Sequence, residues 1–152
     1  MIDEKTAPYA ALLLRVSLGV LFLAHGLLKV LVFTPSGTVG FFESLGLPGF
    51  LAYLTMIAEV GGGAALILGV YTRLVSLALV PVLIGSIIFA HADTGWLFSN
   101  EGGGWEFPAF WAVAMVVQAL LGDGPVMNPT MAGSRGVRRK NATDRRKEMN
   151  HE

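Results

Sequence analysis

The chain contains no cysteine. That absence excludes a disulfide framework, a thiol nucleophile, a CxxC redox pair and an Fe–S cluster held by this chain alone. Charge is scarce as well: 14% of the residues are Asp, Glu, Lys or Arg, against about 25% in an ordinary soluble domain. Basic residues are almost missing from the long middle of the chain. Between Lys29 and Arg135 there is only Arg73, whereas seven of the eleven Lys and Arg lie between Arg135 and Lys147. What fills the middle is apolar: 53% of the residues are hydrophobic, gathered in long runs. A soluble core is not built that way, and a membrane domain is.

Four runs read as spans, at about 11–33, 48–70, 73–91 and 105–121. A helix crossing a bilayer needs about 20 apolar residues, with a range of about 17–25. The first run is too long, and starts after acids rather than a basic cluster, for a cleaved signal peptide. Short connections predict antiparallel neighbours, hence an all-α integral membrane protein with four transmembrane helices in an up-down bundle. Residues 1–10 read as a short N-terminal segment, 11–129 as the membrane domain and 130–152 as a disordered basic tail. The positive-inside rule puts that tail, and with four spans the N-terminus too, in the cytoplasm. Loop 34–47 and loop 92–104 carry no Lys or Arg and fall on the outer side. Trp96, Trp105 and Trp111 are expected as an aromatic belt there. The tail suits contact with anionic lipid.

Packing cues are local. Gly61, Ala65 and Gly69 repeat every four residues on the second span, the small-xxx-small pattern of close helix contact. Gly62 and Gly63 would let the first helix approach. Pro81 removes a backbone donor from the third span and predicts a kink.

The chemistry sits in the exceptions to apolarity. Arg15, His25 and Lys29 fall on one side of the first helix, and Glu59 stands near the middle of the second. A charge facing lipid is costly, so that side should face the bundle. At about 1.5 Å rise per residue, His25 matches Glu59 best in depth; Lys29 bends back to join them or snorkels outward. Arg15 is expected to hold the helix pair, as a structural ion pair with Glu59 or as an inward anchor. His91, Asp93 and Glu106 would form a polar mouth with Lys29 above Glu59. Gln118 is expected to make an interhelical hydrogen bond. Two histidines at unequal depth argue against a bis-histidine haem, and the same mismatch argues against a metal site from His25, Glu59 and His91. A quinone fits better. His25, Lys29, Glu59 and His91 are the candidate cofactor-binding residues, with His25 and Glu59 as candidate catalytic groups.

The segments "RVSLGVLFLAHGLLK", "FFESLGLPGFLAYLTMIAEVGGGAALILGVYTRL", "HADTGW" and "GGGWEFPAFWAVAMVVQALLGDGP" resemble the DoxX family of small bacterial membrane proteins. The resemblance rests on Arg15, His25-Gly26, Lys29, Ala58-Glu59, Gly62-Gly63, Leu68-Gly69, Thr72-Arg73 and the WEFP element at 105–108. It implies four helices in the bacterial cytoplasmic membrane and kinship with the membrane subunit of thiosulfate:quinone oxidoreductase. The function expected is therefore a quinone-linked membrane subunit of an oxidoreductase complex, with lipid and a protein partner around it. A non-enzymatic scaffold is the alternative, and a small transporter a third. No nucleic-acid partner is expected, and an oligomer stays open.

Overall fold

The computed structural model describes Asp3 and residues 5–124. The basic tail lies outside the described residues. Every regular element among those described is helical. Helix α1 spans Ala7–Leu27 and continues as a π-helical turn over Leu28–Val32. Helix α2 spans Pro35–Ser44, α3 Phe50–Leu68 and α4 Thr72–Gly85. A second π-helical turn at Ser86–His91 and a 3₁₀ turn at Ala92–Thr94 extend α4. Helix α5 spans Glu106–Leu121. Three continuous stretches are long and apolar enough to cross a membrane: Ala7–Val32, Phe50–Leu68 and Thr72–Thr94. Helix α5 is apolar but shorter.

Loop 34–47 is not a loop throughout. Thr34 accepts a hydrogen bond on its hydroxyl from Gly37 N at 3.2 Å, and Pro35 occupies the first turn. A capping hydroxyl followed by proline starts a helix, because proline's missing N–H is one that has no partner in a first turn. Thr38 then ties α2 to α1, donating from its hydroxyl to Lys29 O at 3.1 Å and to Thr34 O at 2.9 Å.

Helices α1 and α3 form the closest seam. A Cβ on Gly63 would lie 2.6 Å from Leu23 N and 2.8 Å from Gly19 O. One on Gly26 would lie 2.7 Å from Val60 Cγ2 and 2.9 Å from Val60 N. Backbone meets backbone here because side chains are absent. The seam glycines are thus Gly19, Gly26 and Gly63. Gly62 faces Leu79 of α4 instead, and Gly61 has nothing within 4 Å of where its Cβ would be. Of the small-residue repeat, Gly61 therefore lies off the packed face, whereas Gly69 packs against Arg15.

Helices α4 and α5 pack against each other, and α3 against α4. The core they share comprises Leu18, Phe22, Leu66, Leu79, Leu83, Trp111, Ala112 and Met115. Trp111 is 5% exposed, its ring 4.5 Å from that of Phe22. It is a core residue rather than part of an aromatic belt. Many outward Leu, Val, Phe and Ile of α1, α3 and α4 are exposed, as expected of surfaces meant for lipid.

Candidate functional site

The polar groups separate toward two ends of the bundle. At one end Lys29, carried by the π-helical turn after α1, reaches Glu59 of α3. Its ammonium donates to Glu59 Oε1 at 2.9 Å and Oε2 at 2.8 Å. The lysine side chain is 22% exposed and the glutamate 7%. Depth matching paired Glu59 with His25. The extra residue accommodated by a π turn changes the angular position of everything in it, and Lys29 sits inside such a turn. His25, one turn earlier, engages its own helix: Nδ1 donates to Leu21 O at 2.9 Å. Its ring meets Trp111 edge-on, with centroids 5.0 Å apart.

A cavity of about 390 Å³ opens beside this pair. His25, Lys29, Thr55, Glu59, Ser86 and His91 provide its polar atoms. Phe41, Phe42, Leu45 and Leu47, from α2 and the turn after it, form one apolar wall; Leu83, Phe89, Pro108 and Trp111 form another. Both π-helical turns border the cavity, through Lys29 in one and Ser86, Phe89, Ala90 and His91 in the other. Such turns recur at functional sites because they re-aim side chains that a regular helix would point elsewhere. His91 is held by its Nδ1 donating to Gly103 O at 2.8 Å, and Thr94 donates to the same carbonyl.

The polar mouth does not assemble as expected. Asp93 is exposed and is not among the residues bordering the cavity. Glu106 accepts a hydrogen bond from Phe98 N at 2.7 Å and borders a separate apolar groove with Trp96, Phe98, Phe107, Phe110 and Val113.

At the opposite end, Arg15 is 1% exposed and does not pair with Glu59. Fourteen residues, about 21 Å of helix, separate Arg15 from Lys29. Its Nη1 donates to the backbone carbonyl of Asp123 at 2.6 Å, while Nε and Nη2 have no partner among the described residues. Gly69 gives the guanidinium its room: a Cβ there would overlap Arg15 Nη1 and lie 2.8 Å from Cζ. Gly69 ends α3 at φ +73°, and Val70 N closes the turn on Ala65 O at 2.9 Å. Gln118 does not bridge helices; its Nε2 donates to Gly122 O at 2.7 Å, just past the end of its own helix.

Several cavity residues escaped the reading of the sequence. Phe41, Phe42, Leu45 and Leu47 lay in an assumed loop, although Thr34-Pro35 is a legible helix start. Thr55 and Ser86 carried no signal, since single hydroxyls are common in apolar helices.

The DoxX family model matches residues 10–92. The chain is similar to "Putative oxidoreductase CatD" of Bacillus subtilis, 42% identical over 85 residues, or 56% of this chain and 62% of that protein. It is similar to "Inner membrane protein YqjF" of Escherichia coli, 32% identical over 49% of this chain and 55% of that protein. A third relative, "Inner membrane protein YphA" of Escherichia coli, is 25% identical over 78% of this chain and 87% of that protein. The match thus spans less than two thirds of the length of the first two relatives. No solved structure matches. The family, these relatives and the apolar helices support a bacterial inner-membrane protein.

Proposed function

This chain belongs to the DoxX family, and from that premise we propose that it is the quinone-linked membrane subunit of an oxidoreductase complex. The observation that carries the reading is the cavity of about 390 Å³ whose apolar walls enclose the Lys29–Glu59 pair and two histidines. Small-molecule sites have this character: concave, mostly apolar, with a few placed polar groups and a volume of about 300–1,000 Å³. A relative whose name denotes an oxidoreductase adds weight.

The residues present fit a quinone head group. Its flat ring suits walls of Phe41, Phe42 and Trp111, and an isoprenoid tail suits the lipid-facing surface. A bound quinone supplies two-electron, two-proton carrier chemistry. Lys29 and His25 orient the head, and Glu59 holds a proton-exchanging carboxylate whose charge the ammonium balances until a ligand polar group competes for it. On this reading helix α5, about 24 Å long for its 16 residues, is the fourth crossing, and both ends of the chain lie on one side. The basic tail assigns that side to the cytoplasm. On this reading a protein partner brings the electrons to the cavity.

The test is the quinone content of the full chain purified in native lipid discs, read by solvent extraction and mass spectrometry. Wild type should carry near-stoichiometric quinone. Lys29→Met combined with Glu59→Leu, which removes the pair without leaving a lone charge, should carry little. No enrichment over bulk lipid in the wild type would overturn the reading in favour of a scaffold that anchors a partner.

A further inference from the structure

The two histidines at the cavity share one feature. Each uses Nδ1 on a backbone carbonyl: His25 on Leu21 O at 2.9 Å, His91 on Gly103 O at 2.8 Å. A carbonyl oxygen only accepts, so in both rings Nδ1 carries the hydrogen. In a neutral imidazole the other nitrogen is then an acceptor. The ion pair found among the described residues is Lys29 with Glu59, and both oxygens of that carboxylate already face the ammonium. Neither Nε2 has a hydrogen-bond partner among the described residues, and both rings border the cavity.

The polar lining is therefore biased toward acceptors. It offers two imidazole nitrogens and the remaining lone pairs of Glu59. Against them stand one N–H of Lys29, because the other two serve the carboxylate, and the indole N–H of Trp111, which has no partner among the described residues. The hydroxyls of Thr55 and Ser86 can turn either way. A quinone brings two acceptors and no donor, so it leaves both imidazole nitrogens unmatched. Its reduced form brings two O–H donors.

We propose, on the reading of this cavity as a quinone site, that its preferred occupant is the reduced, dihydroxy form, with the Nε2 atoms of His25 and His91 accepting from its hydroxyls. A buried acceptor left without a partner weakens binding by about tenfold or more, so the reduced form should bind at least about tenfold tighter than the oxidised form. A site that favours the reduced form draws electrons toward the bound carrier.

The experiment is anaerobic equilibrium dialysis of the full chain in lipid discs, with decylubiquinone and with decylubiquinol as probes. Wild type should favour the quinol at least about tenfold. His25→Phe and His91→Phe should each shrink that ratio, weakening quinol binding more than quinone binding. Their unfolding transitions should stay close to wild type, which separates lost recognition from lost fold. Equal binding of the two forms, or tighter binding of the quinone, would overturn this inference while leaving the quinone reading intact. A quinol preference unmoved by both substitutions would overturn the assignment to the imidazoles. Binding of neither probe would overturn the quinone reading itself and this inference with it.

Discussion

The two cations on the first helical stretch, Ala7–Val32, meet opposite solutions. Lys29 is paired with a carboxylate in a fork of two contacts beside an open cavity. Arg15 is sealed at 1% exposure, held by one contact to a main-chain carbonyl, with two nitrogens unpartnered. Around the arginine end, Thr72, Ser76 and Gln118 are buried and also keep unpartnered oxygens. A side-chain pair next to a cavity can be rearranged by a ligand, because both partners can rotate. A guanidinium wedged against Gly69 and clamped on Asp123 O cannot move without displacing backbone. The same residue class in the same helix therefore yields a site at one end and a fastening at the other.

That contrast makes graded demands. The largest effect is expected for Glu59→Ala, which leaves the Lys29 ammonium without its carboxylate. About 3 kcal/mol of stability should be lost, and Lys29→Met with Glu59→Leu should restore most of it. Denaturant unfolding of the protein in mild detergent, followed by tryptophan fluorescence, measures both; a double variant as unstable as the single one would show that the charge pair is not the cause. Gly69→Ala should cost about 1–3 kcal/mol, combining a left-handed backbone at φ +73° with the overlap on Arg15. Much of that cost should vanish in an Arg15→Met background, and a double-mutant cycle on the same unfolding assay reads the coupling. Strict additivity would disconnect the glycine from the arginine. The smallest effect is expected for Arg15→Met alone, within about 1 kcal/mol of wild type, because removing a poorly paired buried charge can be nearly neutral. A loss as large as that of Glu59→Ala would mean that both ends depend on their charges equally, and the contrast would fall.

Much of the architecture was legible in advance. Expected runs at about 11–33, 48–70 and 73–91 correspond to the apolar helical stretches Ala7–Val32, Phe50–Leu68 and Thr72–Thr94, and the run at 105–121 to the shorter Glu106–Leu121. Length and apolarity are properties of a segment by itself, which is why they survive without tertiary knowledge. Helix α2 went unread because its mixed composition outweighed a two-residue start signal at Thr34-Pro35. Trp111 was placed at a surface from the habit of its residue type. Its real position depends on Phe22 and His25 arriving from a helix about 90 residues earlier in the chain.

What the sequence by itself determined is therefore the set of apolar segments and the identity of the rare polar groups that segments of that kind must hide. Which group meets which was decided only by tertiary structure. Gly19, Gly26 and Gly63 set how closely α1 and α3 approach, and the π turn sets where Lys29 points. The physical reason is one of scale. A hydrogen bond tolerates a few tenths of an ångström, whereas reckoning depth along separate helices carries an error of about one turn, or 5.4 Å. Glu59 could be expected to have a cation; only the packed helices could choose Lys29 over His25 and leave the histidines facing the cavity.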